Sequence, residues 1–251
     1  MQSEHRQKQI ENYLKEVEFA SLDELSEKLD VSLSTIRRDL TYIEGKGQIR
    51  RTHGGARMLD HRRDEYIFSA RQQVESESKD RIGAACAELV SPGENLFIDG
   101  GSTVFAVARH LEAKMPHIVT NSLSVANLFA SHNEIEVVVS GGIIYPKLQV
   151  LVGGLATEAF KSLNANIAIM GGGGATEDGI MNSHMLLIET QHAMIASAQK
   201  VVFCLDHTKI GRRSIISLCG WDSVDILVTN KEAPGELLKE IEKQEVEVLL
   251  A

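Results

Sequence analysis

The chain is poor in cysteine: Cys86, Cys204 and Cys219 are odd in number, widely spaced and set among apolar neighbours across 251 residues. Such a set excludes a disulfide framework and a Cys-x-x-Cys metal site, and reads as buried reduced thiols. The nine histidines form no His-Glu-x-x-His pair, so no metal is expected. Long apolar runs are also missing. No stretch of about 18 uncharged apolar residues occurs, and the polar start Met1-Gln-Ser-Glu-His-Arg6 is no signal peptide. The expectation is a soluble cytoplasmic protein with no membrane partner. Nucleotide fingerprints are absent too. There is no G-x-x-x-x-G-K-[ST], and the run Gly171 to Thr176 lacks the third glycine of G-x-G-x-x-G, so no cofactor is expected.

Positive charge is scarce overall but concentrated locally. The net charge is -9, yet residues 31–63 hold eight Lys/Arg against three acids, a local net of +5. Residues 1–63 take 12 of the 26 basic and 11 of the 35 acidic residues, leaving 14 against 24, a net of -10, for residues 64–251. A phosphate-facing surface therefore belongs to the N-terminal part alone. The segregation suggests a small domain over 1–57, a linker over 58–79 and a larger domain over 80–251.

Within the first part, Ser21 and Glu24 form a capping box ahead of Leu22, Leu25 and Leu29. Only Asp30-Val31 separates that helix from one beginning near Ser32. On the second helix Ile36, Leu40 and Ile43 share a buried face, leaving Ser34, Thr35, Arg37, Arg38 and Tyr42 pointing elsewhere. Two short helices joined by a tight turn read as a helix-turn-helix with the second in the DNA groove. Ser32, Ser34, Thr35, Arg37, Arg38 and Tyr42 are its candidate DNA contacts. The competing reading of Arg37-Arg38-Asp39 is a solvated face with an internal ion pair. Gly45-Lys46-Gly47 should stop the helix, and Gln48 to His53 alternates before Gly54-Gly55 as a hairpin wing would, adding Arg50 and Arg51. A first helix over Glu4 to Val17, with Ile10, Tyr13, Leu14 and Val17 on one face, would complete the core.

From Asp80 onward the pattern becomes strand then helix, repeated about six times. Candidate strands are Asn95–Asp99, His117–Thr120, Glu136–Ser140, Asn166–Met170, Lys200–Asp206, Asp225–Thr229 and Val246–Leu250. This predicts an α/β domain with a mainly parallel sheet covered on both sides, whose ligands sit at the carboxyl ends of the strands. Those ends carry the chemistry an oxyanion needs. Asp99-Gly100-Gly101-Ser102-Thr103 follows the first strand, offering backbone N–H groups and two hydroxyls at the start of a helix. Asn121 ends the second strand, Gly141-Gly142 the third, Gly171 to Gly174 the fourth, and Asp206 to Lys209 the fifth. Lys209 suits a phosphoryl group, while Asp206 and Asn121 suit sugar hydroxyls. Taken singly, a glycine pair is a tight turn, Ser102-Thr103 an N-cap, and Lys209 beside Arg212 and Arg213 a solvated loop. Their coincidence at successive strand ends favours a ligand.

Arg6, Ile10 and Leu14, followed by Ser32-Leu-Ser-Thr-Ile-Arg-Arg-Asp-Leu40, resemble the helix-turn-helix signature of the DeoR family of bacterial transcriptional regulators. The resemblance continues through Arg50-Arg-Thr-His-Gly-Gly55, Ile98-Asp-Gly-Gly-Ser-Thr103, Thr120-Asn121, Ser140-Gly-Gly142, Leu151-Val-Gly153 and Asp206-His-Thr-Lys-Ile-Gly-Arg212. It implies a winged helix-turn-helix joined to an α/β effector domain similar to ribose-5-phosphate isomerase. The implied function is repression of a sugar or polyol catabolic operon, relieved by a phosphorylated sugar. By that resemblance the Gly101-Ser102-Thr103 loop and Lys209 hold the phosphate, with Asn121 and Asp206 near the sugar. Two positions depart from the family pattern: Gly173 stands where relatives carry an acid, and Leu187 replaces another, with Glu189 two residues away.

The expectation is thus an oligomeric regulator with no catalytic residues, partnered by a double-stranded DNA operator and a phosphorylated sugar. A tenfold loss of operator affinity needs only about 1.4 kcal/mol of coupling. One alternative is a sugar-phosphate isomerase carrying a DNA-binding module, with Asp206, Glu189 or Asp99 as general base. Another is a nucleic-acid binder that ignores sequence and weakens with salt.

Overall fold

A computed structural model of the chain describes residues 3–17, 19–45, 49–52, 54–58 and 67–251. The expectations for Lys46, Gly47, Gln48, His53 and residues 59–66 lie outside the described residues, as does the side chain of Arg50. The chain divides into two compact units, 1–74 and 75–251.

The first unit contains α1 (Ser3–Val17), β1 (Phe19–Ser21), α2 (Leu22–Leu29), α3 (Leu33–Gly45), β2 (Ile49–Thr52), β3 (Gly55–Met58) and α4 (Phe68–Gln73). Its capping box forms as the sequence suggests: the Ser21 hydroxyl accepts from the Glu24 N–H, and the Glu24 carboxylate accepts from the Ser21 N–H. Asp30 ends α2 in the left-handed region, turning the chain into α3 within two residues. Ile10, Leu14, Leu25, Ile36, Leu40, Ile43 and Ile49 close one small core. The wing strands β2 and β3 pair antiparallel, and β1 adds a third strand that the sequence did not suggest. Gly55 allows that addition, because a Cβ there would stand 2.1 Å from the Ala20 carbonyl oxygen. The stretch read as linker is not irregular throughout: it holds α4 and the first turn of the next helix. Phe68 is buried, and burying it stabilises helix in a segment whose composition is otherwise polar.

The second unit runs α5 (Ser76–Ala87), β4 (Asn95–Ile98), α6 (Ser102–Ala108), β5 (His117–Thr120), α7 (Leu123–Phe129), β6 (Val137–Val139), β7 (Ile143–Tyr145), β8 (Val150–Val152) and α8 (Gly154–Lys161). It continues through β9 (Ala165–Met170), β10 (Gly174–Thr176), β11 (Gly179–Asn182), α9 (Met185–Ala196), β12 (Ala198–Cys204), β13 (Ile216–Cys219), β14 (Ile226–Thr229), α10 (Gly235–Glu242) and β15 (Glu247–Leu250). Seven strands form one parallel sheet in the order β15-β14-β12-β9-β4-β5-β6. Both faces are covered, as the apolar strands require. Leu96 and Ile98 of β4 enter a core with Ile82, Val104 and Val125, while Phe97 enters the opposite core and meets Phe160 edge-on at 5.1 Å. Gly83 lets α5 cross α6 closely, since a Cβ there would lie 2.7 Å from the Ala106 carbonyl.

Two smaller sheets were not foreseen: the hairpin β7–β8 and the antiparallel set β10-β11-β13. Their strands are three or four residues long and two of them begin at glycine, so period-two alternation has no room to show. The glycine run ending at Gly174 follows from this packing. A Cβ at Gly174 would strike the Arg212 carbonyl at 2.1 Å, and one at Gly173 would press on the Ser183 N–H and the Ser214 hydroxyl at 3.0 and 3.1 Å.

Candidate functional site

In the sheet of the second unit the chain steps one way from β4 through β5 to β6, then crosses to β9 and steps the other way. The β4/β9 boundary is therefore the topological switch point, where loops diverge and leave a crevice at the carboxyl ends of the strands. Asp99 stands there. It is 2 % exposed, and its N–H donates to the Ile169 carbonyl at 3.0 Å. Its Oδ2 accepts from the Gln191 amide at 2.7 Å; Gln191 Oε1 accepts from the Asn182 amide at 2.7 Å, and Asn182 Oδ1 accepts from the Ser183 N–H at 2.7 Å. Burial pushes the Asp99 pKa up to about 6, opposed by the Gln191 bond and by the N–H groups of Gly100 and Gly171.

The pairing of Ile98 with Thr120 places Asn121 beside Asp99. The Asn121 backbone is pinned by the Leu151 N–H, which donates to its carbonyl at 2.8 Å. The side chain is fully buried and favours the ionised form of Asp99, yet neither its nitrogen nor its oxygen meets a protein group in hydrogen-bond geometry. The buried Ser102 hydroxyl is likewise without a partner. Thr103 is buried next to it. Gly101, at φ 130, has nothing within 4 Å of where a Cβ would lie, while a Cβ on Gly100 would strike Val150 at 2.2 Å. The β7–β8 hairpin thus covers Gly100 and leaves Gly101 open.

Asp99, Gly100, Gly101, Ser102, Thr103 and Asn121 are brought together at adjacent strand ends. Gly141 and Gly142 lie at the next strand end, with φ of 71 and 118, and turn the chain into β7; a Cβ on Gly142 would press the Val152 carbonyl at 2.7 Å. Asp206 and Lys209 lie two strands from β4, beyond β9. Asp206 holds its own turn, its Oδ1 accepting from the N–H and the hydroxyl of Thr208, so Lys209 is presented by a fixed 3-10 turn over His207–Lys209. The Gly211 N–H then ties the loop to the Ala175 carbonyl at 2.8 Å. Glu189 is exposed and acts electrostatically on Lys161, while Leu187 packs with Leu148, Val150 and Val152.

Three residues at this end of the sheet escaped the sequence reading. Gln191 and Asn182 connect Asp99 to the start of α9. Lys79 is 5 % exposed on α5, one turn before Gly83, which packs on Ala106 of α6. A signal existed for two of them. Lys79, Ile82 and Cys86 share one helical face, as do Leu187, Gln191 and Met194, so each polar residue sits on an apolar stripe.

In the first unit Asp39 turns inward rather than pairing with its neighbours Arg37 and Arg38. It accepts from Arg6 Nε at 2.5 Å and from the Gln7 amide at 3.1 Å, and that bond raises the Arg6 pKa. Arg37 and Arg38 are exposed on α3 with Ser34 and Tyr42. Ser32 caps the helix, its hydroxyl accepting from the Thr35 N–H at 3.3 Å and lying 2.9 Å from the hydroxyls of Ser34 and Thr35. Arg51 is partly committed: its N–H donates to Glu44 at 2.8 Å, and its guanidinium lies against Glu44 and Thr41. Arg37, Leu40, Glu44, Arg51 and Thr52 line an open groove of about 450 Å³ between α3 and the wing.

No helix among the described residues is long and apolar enough to cross a membrane, and no group of three or more His, Cys, Asp or Glu residues there could hold a metal ion. Comparison with known proteins gives matches over both units. Residues 6–62 match the DeoR-like helix-turn-helix domain, and residues 74–231 match the DeoR C terminal sensor domain. The HTH-type transcriptional repressor GlcR of Bacillus subtilis is 29% identical over 250 residues, 100% of this chain and 97% of GlcR. The HTH-type transcriptional regulator UlaR of Shigella sonnei is 29% identical over 238 residues, 94% of each chain. Among solved structures, ribose 5-phosphate isomerase A from Methanocaldococcus jannaschii aligns with TM-score 0.40 and 15% identity over 54% of this chain and 55% of that one. Translation initiation factor eIF-2B from Pyrococcus horikoshii aligns with TM-score 0.43 and 14% identity over 88% and 81%.

Proposed function

From the premise that this chain belongs to the DeoR family of transcriptional regulators, we propose that it represses a sugar or polyol catabolic operon in the cytoplasm and is released by a phosphorylated sugar. It is a DNA-binding regulator with a C-terminal sensor domain, and not an enzyme. The regulator reading is also supported by Glu189, which faces solvent, and by Gly173, which puts no acid at that position after β9.

The observation that carries the effector assignment is the buried Asn121 amide, its oxygen without a partner and its N–H short of hydrogen-bond geometry to the Asp99 carboxylate, next to the unpartnered Ser102 hydroxyl. Buried polar groups in native proteins are satisfied, so an arrangement of this kind is completed by a polar guest. Asp99 and Asn121 take the sugar hydroxyls. The Gly101-Ser102-Thr103 loop takes the phosphoryl group, aided by Lys209, with Gly141 and Gly142 forming the rim. Arg37, Arg38, Ser34, Thr35 and Tyr42 read the operator from α3, while Ser32 fixes the start of that helix and Arg50 and Arg51 serve the wing. Two copies place their recognition helices on two half-sites; effector binds another arrangement of the oligomer more tightly and shifts the population away from DNA.

A thermal-shift screen of phosphorylated sugars against their unphosphorylated forms tests this. A ligand at 100 times its Kd stabilises the folded state by about 2.7 kcal/mol. At least one sugar phosphate raises the melting temperature and lowers operator affinity, and its dephosphorylated form does neither. A complete panel without a response removes the effector assignment. Operator binding that ignores sequence removes the regulator's specificity.

A further inference from the structure

The two edges of the parallel sheet are treated differently. Exposed acids precede both edge strands, Glu245 at β15 and Glu134 and Glu136 at β6, but only β15 carries one within the strand, Glu247, where charge blunts a sheet edge against pairing. At the other edge β6 is Val137-Val138-Val139, hydrogen-bonded to β5 on one side only among the described residues. No charged residue occurs from Val137 to Pro146. Val138 and Val139 are about half exposed, Ile143 is 71% exposed, Ile144 54% and Leu155 73%.

These side chains flank one edge of the sheet, with Val138 and Val139 pointing to its opposite faces. Gly142 lies against the Val152 carbonyl and Ala156, and the tip of Ile143 would be 3.8 Å from a Cβ on Gly153, which brings the end of β6 and the start of β7 to the first turn of α8, where Leu155 stands. We propose that this edge is the interface through which two copies of the chain associate, with their β6 strands pairing antiparallel about a two-fold axis. The proposal deepens the oligomer of the preceding reading and rests on it.

Three considerations select a second copy as the occupant. Identical edge strands related by a two-fold axis run antiparallel, so β6 complements itself and the two seven-stranded sheets become continuous. The five exposed side chains offer on the order of 500 Å² of apolar surface per copy, at the upper end of what monomers display. Two copies together then bury about 1,000 Å², the lower bound for a specific interface. Charge also selects the position. Residues 64–251 carry a net of -10 in each copy, so like copies repel wherever acids meet; the run from Val137 to Pro146 carries none, and about a two-fold axis at Val138 the exposed Glu136 lies opposite the second copy's Ser140 rather than opposite an acid.

The test is sedimentation velocity on the full chain at micromolar concentration, with Val138→Lys and Ile143→Glu as separate variants. The wild type sediments as a dimer or larger, and each variant raises the dissociation constant at least tenfold while Trp221 fluorescence stays native. In case a variant does not fold, Val138→Cys supplies a second readout. Val138 is the centre of the three-residue strand, so two copies cross-link through it under mild oxidation, and the wild type, treated alike, does not. A monomeric wild type overturns both the oligomer reading and the interface. An oligomeric wild type whose variants keep their mass and whose Val138→Cys form gives no cross-link overturns the interface alone.

Discussion

Asp99→Asn separates what the crevice costs from what it does. Burial raises the Asp99 pKa from 3.8 to about 6. In the folded state the carboxyl is thus protonated in a range where the unfolded chain has already ionised. Stability from this group is full below pH 4, falls as pH rises through about 6, and is flat above; a shift of about 2 units corresponds to a loss of about 3 kcal/mol. Asparagine carries no charge and escapes that loss. It can still accept from Gln191, but its amide N–H groups would face the N–H groups of Gly100 and Gly171, and one orphaned donor costs about 1–3 kcal/mol. At pH 7.5 the variant is therefore as stable as wild type or up to about 2 kcal/mol more stable, whereas at pH 4 it is the less stable protein. Urea unfolding followed through Trp221, the one tryptophan and a buried residue of the second unit, reads this directly. The difference between variant and wild type should move in favour of the variant by about 3 kcal/mol between pH 4 and 7. A difference that does not change with pH would refute the buried-carboxylate argument.

Further outcomes follow from the same geometry. Arg37→Ala should weaken operator binding by about 1–3 kcal/mol, measured by fluorescence anisotropy, with no fall in melting temperature because the side chain is exposed. Asp39→Ala should cost the first unit about 1–3 kcal/mol: the pair with Arg6 is largely covered but lies near the surface of a small domain, between the buried and exposed cases. Circular dichroism during thermal unfolding checks it, and an unchanged midpoint counts against the pair. Lys209→Ala should leave operator affinity intact and abolish its response to sugar phosphate. Cys219, pushed up to about 12 by burial and by Asp222, should resist thiol reagents at pH 8 in the native protein and react only on unfolding.

How far the sequence alone carried this reading depended on periodicity. The capping box at Ser21, the stripe of Ile36, Leu40 and Ile43, and the apolar strands of the parallel sheet each repeat often enough to be seen, and all form. The short antiparallel strands around Gly174 and Tyr145 do not, because three or four residues cannot display a period, and β13 also lies far along the chain from its partner β11. The crevice was half visible. Turn glycines and hydroxyls at strand ends mark Gly100 to Thr103, whereas Gln191 and Asn182 enter from a helix and a strand whose arrival at Asp99 depends on tertiary packing. Asp39 shows the same limit: nothing adjacent in sequence distinguishes a partner in α1 from Arg37 or Arg38.

The chain from Asp99 through Gln191 and Asn182 to the Ser183 N–H also suggests how a small guest can act at a distance. A hydroxyl that donates to Asp99 competes for the same carboxylate as Gln191, and the bonds from Gln191 to Asp99 and from Asn182 to Gln191 are buried, so neither can be given up to water. Loss of the Asp99 bond leaves the Gln191 amide with the Gly171 carbonyl, at 3.2 Å, as its remaining acceptor, which loosens the tie between α9 and the crevice. The next residues along that helix are Leu187, packed on the β7–β8 hairpin, and the hairpin in turn holds Gly100 and the Asn121 backbone. Crevice, helix and hairpin form a closed ring of contacts, and that hairpin continues directly from β6. A ligand that shifts the ring by a fraction of an ångström bears on the edge proposed to join two copies, which is where an oligomer can convert occupancy into spacing of its recognition helices.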